Sequence, residues 1–138
     1  MVAQIKVLIV DDNFRARESL KSLLATWPRI EEIREAKDGL EALALVSHSL
    51  PDILLMDAHM PIMDGVEATR IIKALWPQVQ IIMLSMFPEY RTLALAAGAQ
   101  AFTNKADLAG QLRAILAAVT HFEEQNNWIL EGKSLRKG

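Results

Sequence analysis

The sequence predicts an α/β protein in which a doubly wound parallel sheet of five strands is covered by five helices. Short runs of β-branched and other apolar residues alternate with longer segments whose apolar residues recur at helical spacing. Several short runs are apolar throughout, which is typical of parallel strands that are buried on both faces. Hydrophobic residues make up 51% of the 138 residues, which argues against disorder and is enough to form a core.

Five strands are predicted, and three of them are continuous apolar runs at residues 5–10, 52–56 and 79–84. Residues 30–36 alternate apolar and charged side chains, which indicates a half-exposed strand at an edge of the sheet. Residues 100–104 form a weaker fifth strand. Each of these runs is followed by a segment with helical periodicity.

The predicted helices have recognisable starts and ends. Asp38-Gly39 and Asp64-Gly65 supply a turn followed by a helix start, and Gly98 is a left-handed cap at a helix end. The prolines after Trp27 and Trp76 disfavour the α region at these tryptophans, so two helices end near them. The predicted helices cover residues 15–27, 39–47, 65–76, 89–97 and a segment that begins near residue 106.

Five successive β-α units joined by right-handed crossovers predict the flavodoxin-like strand order 2-1-3-4-5. The pattern ends near residue 120, so residues 1–120 are expected to form one domain. Residues 121–138 are polar apart from a short apolar patch and are expected to be an extension or a linker.

Charge and composition exclude several classes of function. Fifteen basic and seventeen acidic residues give a net charge of −2, without the basic face that nucleic-acid binding by this segment would require. No apolar run approaches the ~18 residues of a membrane span, and no signal peptide is visible. Cysteine is absent, which excludes disulfides and thiolate metal sites and is compatible with a reducing compartment. A cytoplasmic location is expected.

Polar side chains follow the predicted strands at one rim of the sheet. Asp11 and Asp12 follow the first strand, Asp57 the third, Ser85 the fourth and Lys105 the fifth. Adjacent carboxylates raise the free energy of the site unless a cation binds or one acid is protonated. Oxygen-only ligands favour a hard cation. Few protein ligands together with retained waters favour Mg²⁺ over Ca²⁺. Such a site suits phosphoryl transfer to a carboxylate, with Lys105 supplying a second positive contact.

The chain resembles the receiver domain of response regulators in two-component signalling over about residues 4–120. The resemblance is carried by "VDD" at residues 10–12, "LLMDAHMPIMDG" at residues 54–65, Ser85 and Lys105, in that order. It implies that Asp57 is the phosphoacceptor, that Ser85 bonds the phosphoryl group and that Lys105 pairs with it.

The resemblance also implies a Mg²⁺ site. Asp12 and Asp57 would ligate the ion directly, Asp11 directly or through water, and the main-chain carbonyl of His59 would complete the protein ligands. The resemblance suggests that the positions of His59 and Phe87 tune the lifetime of the phosphoryl group. The alternative for His59 is a solvated loop histidine. Phe102 is either a core aromatic or a switch ring that moves inward when Ser85 moves.

Two residues depart from the family pattern. Lys105 is followed by Ala106 where the family commonly has proline, so a trans peptide is expected because a cis bond without proline costs about 3–4 kcal/mol. Met86 follows Ser85 where a smaller residue is frequent, which predicts crowding on the path of Ser85.

The function implied is a phosphoaccepting switch rather than a metabolic enzyme. A histidine kinase or a phosphotransfer protein would phosphorylate Asp57, and the domain would slowly remove its own phosphoryl group. The face of the fourth helix, fifth strand and fifth helix would then control an output domain, a partner or a homodimer. DNA would be reached through a helix-turn-helix output domain, and a fragment of a transcriptional regulator is favoured over a stand-alone chain.

Two alternatives stay open. A Mg²⁺-dependent phosphohydrolase with an aspartyl intermediate would want Asp-x-Asp after the first strand, whereas this chain has Asp11-Asp12-Asn13-Phe14. A binding module could keep the pocket without being phosphorylated.

Overall fold

The computed structural model describes residues 4–118 of the chain. The chain divides into two compact units, with the boundary between Ala106 and Asp107. The predicted extension at residues 121–138 lies outside the described residues, so the predicted domain boundary after residue 120 stays a prediction. Within the described part of the chain, no helix is both long and apolar enough to cross a membrane.

In the part of the chain that the structure describes, five parallel strands form one sheet, and all five were predicted. Their order is β2-β1-β3-β4-β5, which confirms the predicted flavodoxin-like topology. β2 is an edge strand of this sheet, pairs with β1 and is mostly half-buried, as its alternating sequence predicts. The strands are β1 (Ile5–Val10), β2 (Ile30–Ala36), β3 (Ile53–Asp57), β4 (Gln80–Ser85) and β5 (Ala101–Asn104).

Among residues 4–118, five helices alternate with the strands along the sequence, as predicted. They are α1 (Phe14–Leu24), α2 (Gly39–His48), α3 (Gly65–Leu75), α4 (Tyr90–Ala97) and α5, which follows a short 3₁₀ turn and is described over residues 108–118. The predicted end of α1 at Trp27 is wrong by three residues. The hydroxyl of Thr26 donates to the carbonyl of Leu23 at 3.0 Å, and the amide of Trp27 donates to Leu24 in a tighter turn. These bonds replace the next helical turn.

Side chains cap the first three helices at their N-termini. Asn13, Asp38 and Asp64 each accept the amide three residues later, at 2.8–2.9 Å, and so satisfy a donor that the helix itself leaves unpaired. α4 follows Glu89, which makes no such bond. Its C-terminus ends at Gly98, whose φ of 110° is the left-handed cap that the sequence predicts.

The sheet is buried on both faces. One face packs against α2, α3 and α4, in a cluster that takes alternate residues of the central strands, such as Leu54 and Met56 of β3. The intervening residues, such as Ile53 and Leu55, are buried on the opposite face. α1 contacts β1 and β2. Because both faces are covered, polar side chains of the central strands can reach solvent only at the strand ends.

Candidate functional site

A pocket of about 230 Å³ lies at the carboxyl ends of β1, β3 and β4. This is the edge of a doubly wound sheet at which ligands bind. The structure brings together all five residues that the sequence placed at this rim. The pocket is lined by Asp11, Asp12, Asn13, Asp57, His59, Ser85, Met86, Phe87 and Lys105.

Asp11 directly follows β1 and is almost completely buried, with 1% of its surface exposed. One carboxylate oxygen accepts the amide of Asn13 at 2.9 Å, and the other accepts Lys105 Nζ at 2.8 Å. Its own amide donates to the carbonyl of Ala36 at the end of β2, at 3.1 Å. These bonds compensate the cost of removing the charge from water.

Asp57 is the last residue of β3, and only 6% of its surface is exposed. It pairs with Leu84 of β4, so it lies inside the strand and not after it, and the predicted strand 52–56 is shifted by one residue. Burial and the neighbouring charge of Asp11 raise the pKa of Asp57, although Lys105 acts in the opposite direction. The ionised form of Asp57 is therefore held at a cost in free energy.

Lys105 follows β5 and bridges two of the acids. Its Nζ lies 2.8 Å from Asp11 Oδ2 and 3.1 Å from Asp57 Oδ1. Burial alone would lower the pKa of Lys105, but its bonds to the two carboxylates and their charges outweigh this and raise the pKa. The Lys105–Ala106 peptide is trans, which confirms the prediction made from the missing proline.

The acidic residues fit a divalent cation. Carboxylate oxygens of Asp11, Asp12 and Asp57 lie within 4.8 Å of one another. Lys105 pairs with two of the three carboxylates, so these four charged groups keep a negative excess. Burial first, and then the charge of Asp11, raise the pKa of Asp57. Oxygen-only ligands beside an exposed Asp12 suit a hard cation that retains water, as Mg²⁺ does. His59 lines this pocket, and the role of its carbonyl stays a prediction.

Ser85 is the last residue of β4 and is buried at the pocket. Its hydroxyl oxygen accepts the amide of Phe87 at 2.9 Å, which leaves the hydroxyl hydrogen available to a ligand. Met86 is 56% exposed at the pocket edge. Phe102 is half-buried on β5 and packs against the core cluster, so the choice between a core aromatic and a switch ring stays open.

The loop between β3 and α3 is tightly built. The amide of Gly65 donates to Ala58 at 2.9 Å, and an ideal Cβ on Gly65 would lie 2.0 Å from the carbonyl oxygen of Asp57. Within the loop, the amide of Met63 donates to Pro61 at 2.7 Å, across Ile62 with φ of 70°. This geometry is a strained γ-turn for a β-branched residue. The loop therefore fixes the backbone around Asp57.

The comparisons with known proteins agree with this geometry. The family model described as the response regulator receiver domain matches residues 7–117, which is most of the chain. The chain belongs to this family. It is the receiver domain of a two-component response regulator, a signalling domain.

Two curated relatives of this receiver domain are regulatory proteins by name. The transcriptional regulatory protein DegU of Brevibacillus brevis is 38% identical over 104 residues, which cover 74% of this chain and 44% of DegU. The response regulator protein VraR of Staphylococcus aureus is 39% identical over 127 residues, which cover 88% of this chain and 61% of VraR. The receiver domain thus spans about half the length of these relatives.

Solved structures share the fold of this receiver domain. A LuxR-family two-component response regulator from Aurantimonas sp. SI85-9A1 has a TM-score of 0.81 at 28% identity, with 86% of each chain covered. The response regulator domain of Thermotoga maritima CheB has a TM-score of 0.78 at 29% identity, with 86% of this chain and 97% of CheB covered.

Sequence reasoning missed three residues near the site of the receiver domain. Asn13 lines the pocket and caps α1, and an asparagine before an amphipathic helix is a signal that could have revealed it. The hydroxyl of Tyr90 lies 3.3 Å from Nδ1 of the exposed His59. Arg17 Nη1 donates to the main-chain carbonyl of Asp11 at 2.8 Å. No sequence pattern marks the last two contacts.

Proposed function

We propose that Asp57 is the phosphoryl acceptor of this receiver domain. The observation that carries the proposal is a carboxylate buried at the end of β3, 3.1 Å from Lys105 Nζ, in a pocket shared with two further acids. Burial of an acid beside other acids costs stability, and such an arrangement is typical of a functional site. Asp57 is buried, yet it lines the pocket, so a phosphoryl donor that enters the pocket can reach its carboxylate.

The donor in this proposal is a phosphohistidine on a histidine kinase or a phosphotransfer protein. A carboxylate oxygen of Asp57 attacks phosphorus, the O–P bond forms as the P–N bond breaks, and the bonding electron pair returns to the imidazole nitrogen. Lys105 pairs with one phosphoryl oxygen. The Ser85 hydroxyl, whose oxygen already accepts the Phe87 amide, donates its hydrogen to another.

Asp11, Asp12 and Asp57 hold Mg²⁺ in this proposal, Asp11 directly or through water, together with the main-chain carbonyl of His59. When bound, the ion neutralises negative charge on the transferred group. The support is the cluster of carboxylate oxygens within 4.8 Å and the raised pKa of Asp57, which a cation would lower. Lys105 alone does not neutralise the cluster.

Phosphorylation biases a pre-existing equilibrium between two packings of the surface around α4 and β5, with Ser85 and Phe102 as the moving parts. The predicted surface also includes α5. This change alters the affinity for an output domain, for a partner or for a second copy of the chain. The domain also phosphorylates itself from small donors and slowly hydrolyses the product. Light scattering before and after phosphorylation tests the homodimer.

The whole protein is proposed to be a cytoplasmic transcriptional regulator. The support is that DegU is named a transcriptional regulatory protein and that the alignment covers only 44% of its length. DNA would be bound by a further output domain and not by this segment, whose net charge is −2.

The test is labelling with acetyl phosphate and Mg²⁺, followed by intact-mass measurement. The wild-type protein should gain one phosphoryl group, EDTA should abolish the gain, and D57N should not be labelled. D52N is the matched control, because Asp52 is an exposed acid at the opposite end of β3 and should leave labelling unchanged.

Three outcomes would contradict the proposal. Labelling of D57N equal to that of the wild type would place the acceptor elsewhere. A wild-type protein that stays unlabelled, under conditions that label another receiver domain, would favour a binding module. Rapid multiple turnover of phosphate esters would favour the phosphohydrolase.

A further inference from the structure

The peptide bond between Asp11 and Asp12 is held by a side chain from α1. Arg17 Nη1 donates to the carbonyl oxygen of Asp11 at 2.8 Å, and this carbonyl belongs to the peptide that joins the two acids. The plane of this peptide contains the Cα atoms of both acids, so holding it restrains the backbone from which both side chains extend. A contact that fixes this plane therefore helps to fix both carboxylates.

The guanidinium of Arg17 is itself held in place. Its Nε lies 2.9 Å from Glu35 Oε1 on β2, its Cζ lies 5.7 Å from the centre of the Phe14 ring, and only 15% of the side chain is exposed. A planar guanidinium with separate donors can make both polar contacts at once. Arg17 thus links Asp11 to the neighbouring strand through a fixed geometry.

Glu35 has a second cationic partner that does not reach the acidic pair. Lys21 Nζ lies 2.8 Å from Glu35 Oε2 and also contacts Glu18. Lys21 therefore shares the ion-pair network with Arg17, but no bond joins it to Asp11 within the described residues. The two cations differ in the one contact that matters for the acids.

We propose that Arg17 is a positioning residue for the Asp11–Asp12 pair, oriented by Glu35. Arg17 does not line the pocket, and it would act through the peptide that joins two of the proposed ligands. The inference rests on the proposed function, because it assumes that these acids hold Mg²⁺. Residues behind metal ligands commonly change metal affinity by 10- to 100-fold when they are replaced, in order-of-magnitude terms.

The experiment compares R17Q with K21Q in the full chain. The affinity for Mg²⁺ is measured by calorimetric titration. The rate of labelling is measured with acetyl phosphate, and the free energy of unfolding is measured with urea. R17Q should raise the Kd for Mg²⁺ about 10-fold and slow labelling at limiting Mg²⁺. K21Q should change the Kd for Mg²⁺ and the labelling rate by less than about twofold. The free energy of unfolding should fall by a similar amount in K21Q and R17Q, as for the loss of a surface ion pair.

Two further variants separate positioning from folding. R17K keeps the charge but cannot make both contacts with one planar group, so its Kd should lie between those of the wild type and R17Q. If Glu35 acts through Arg17, the single variant E35Q should bind Mg²⁺ more weakly than the wild type. The double variant with R17Q and E35Q should then bind Mg²⁺ no more weakly than R17Q alone. R17K and E35Q also test the inference if R17Q does not fold.

The failures are distinguishable. Wild-type Mg²⁺ affinity in folded R17Q, or equal weakening in R17Q and K21Q, would overturn the role of Arg17 and leave the proposed function intact. A wild-type protein that neither binds Mg²⁺ nor is labelled would overturn both.

Discussion

Replacement of Gly65 by alanine should damage both the fold and the acceptor site. An ideal Cβ at this position would lie 2.0 Å from the carbonyl oxygen of Asp57, 2.9 Å from its carbonyl carbon and 3.0 Å from Cα of Ala58. All three atoms belong to the main chain, so no side chain can rotate away. The loop must move by about 1 Å or more to restore an ordinary contact distance.

The magnitude follows from two opposing effects. Overpacking of a closely built region costs about 1–3 kcal/mol, and the upper end applies because main-chain atoms must move. Alanine offsets about 0.4–1 kcal/mol of this by restricting the unfolded chain. We therefore expect G65A to lower the free energy of unfolding by about 2 kcal/mol, which corresponds to roughly 8 °C in Tm for a domain of this size.

The assays are urea unfolding followed by tryptophan fluorescence, and acetyl phosphate labelling of the folded variant. Labelling should slow by about a hundredfold, because a displacement of 1 Å at Asp57 misplaces the reactive oxygen. G110A is the matched control. Gly110 is exposed in the helical segment 108–118, and a Cβ there would meet no atom within 4 Å, so G110A should gain about 0.5–1 kcal/mol. Wild-type stability and labelling in G65A would refute the reasoning.

Three further predictions concern stability. D57N should be more stable than the wild type by about 1 kcal/mol at pH 7 without Mg²⁺, because burial and Asp11 raise the pKa of Asp57 and penalise its ionised form. The gain should appear only as pH rises through the interval between the ordinary and the raised pKa. E35Q should be less stable by about 0.5–1 kcal/mol at pH 7, since the bond from Lys21 lowers the pKa of Glu35, and the loss should vanish as pH falls through that lowered pKa. D38A should lose about 1 kcal/mol, because Asp38 caps α2.

All three variants are measured by urea unfolding, and D57N and E35Q are measured at several pH values. Equal stability of D57N and the wild type at neutral pH would contradict the penalty assigned to the buried charge. A loss in E35Q that persists in strong acid would show that packing, and not ionisation, is responsible. D38N keeps an acceptor oxygen and serves as the control for D38A, so equal losses in both would argue against a capping role.

The strands were predictable because burial on both faces leaves a clear pattern. β1 and β2 begin and end where the sequence predicts, since one is a continuous apolar run and the other alternates. β3 is shifted by one residue because Asp57 pairs with Leu84 despite its charge. An acid inside a buried strand breaks the hydrophobic pattern on which the prediction depends, and such exceptions are expected at functional sites.

The acids and the lysine of the site were predictable because topology gathers strand ends at one edge. The contact between Arg17 and the main-chain carbonyl of Asp11 could not be predicted from the sequence. Its geometry depends on Glu35, which lies 18 residues away on another element, and a charged residue on a surface helix carries no distinguishing pattern. The end of α1 was missed for a similar reason, because local bonds from Thr26 and Trp27 stop the helix before the proline does.

Among the first four helices, α4 is the one whose N-terminus has no side-chain cap. A side-chain cap is worth about 1 kcal/mol, and the first turn of α4 depends instead on main-chain bonds, such as the one from the amide of Arg91 to Pro88. Two hydrogen bonds connect that turn to the acid pocket. The amide of Tyr90 donates to the carbonyl of Phe87, and the amide of Phe87 donates to the Ser85 hydroxyl. A ligand that displaces the Ser85 hydroxyl would therefore also displace Phe87 and the first turn of α4.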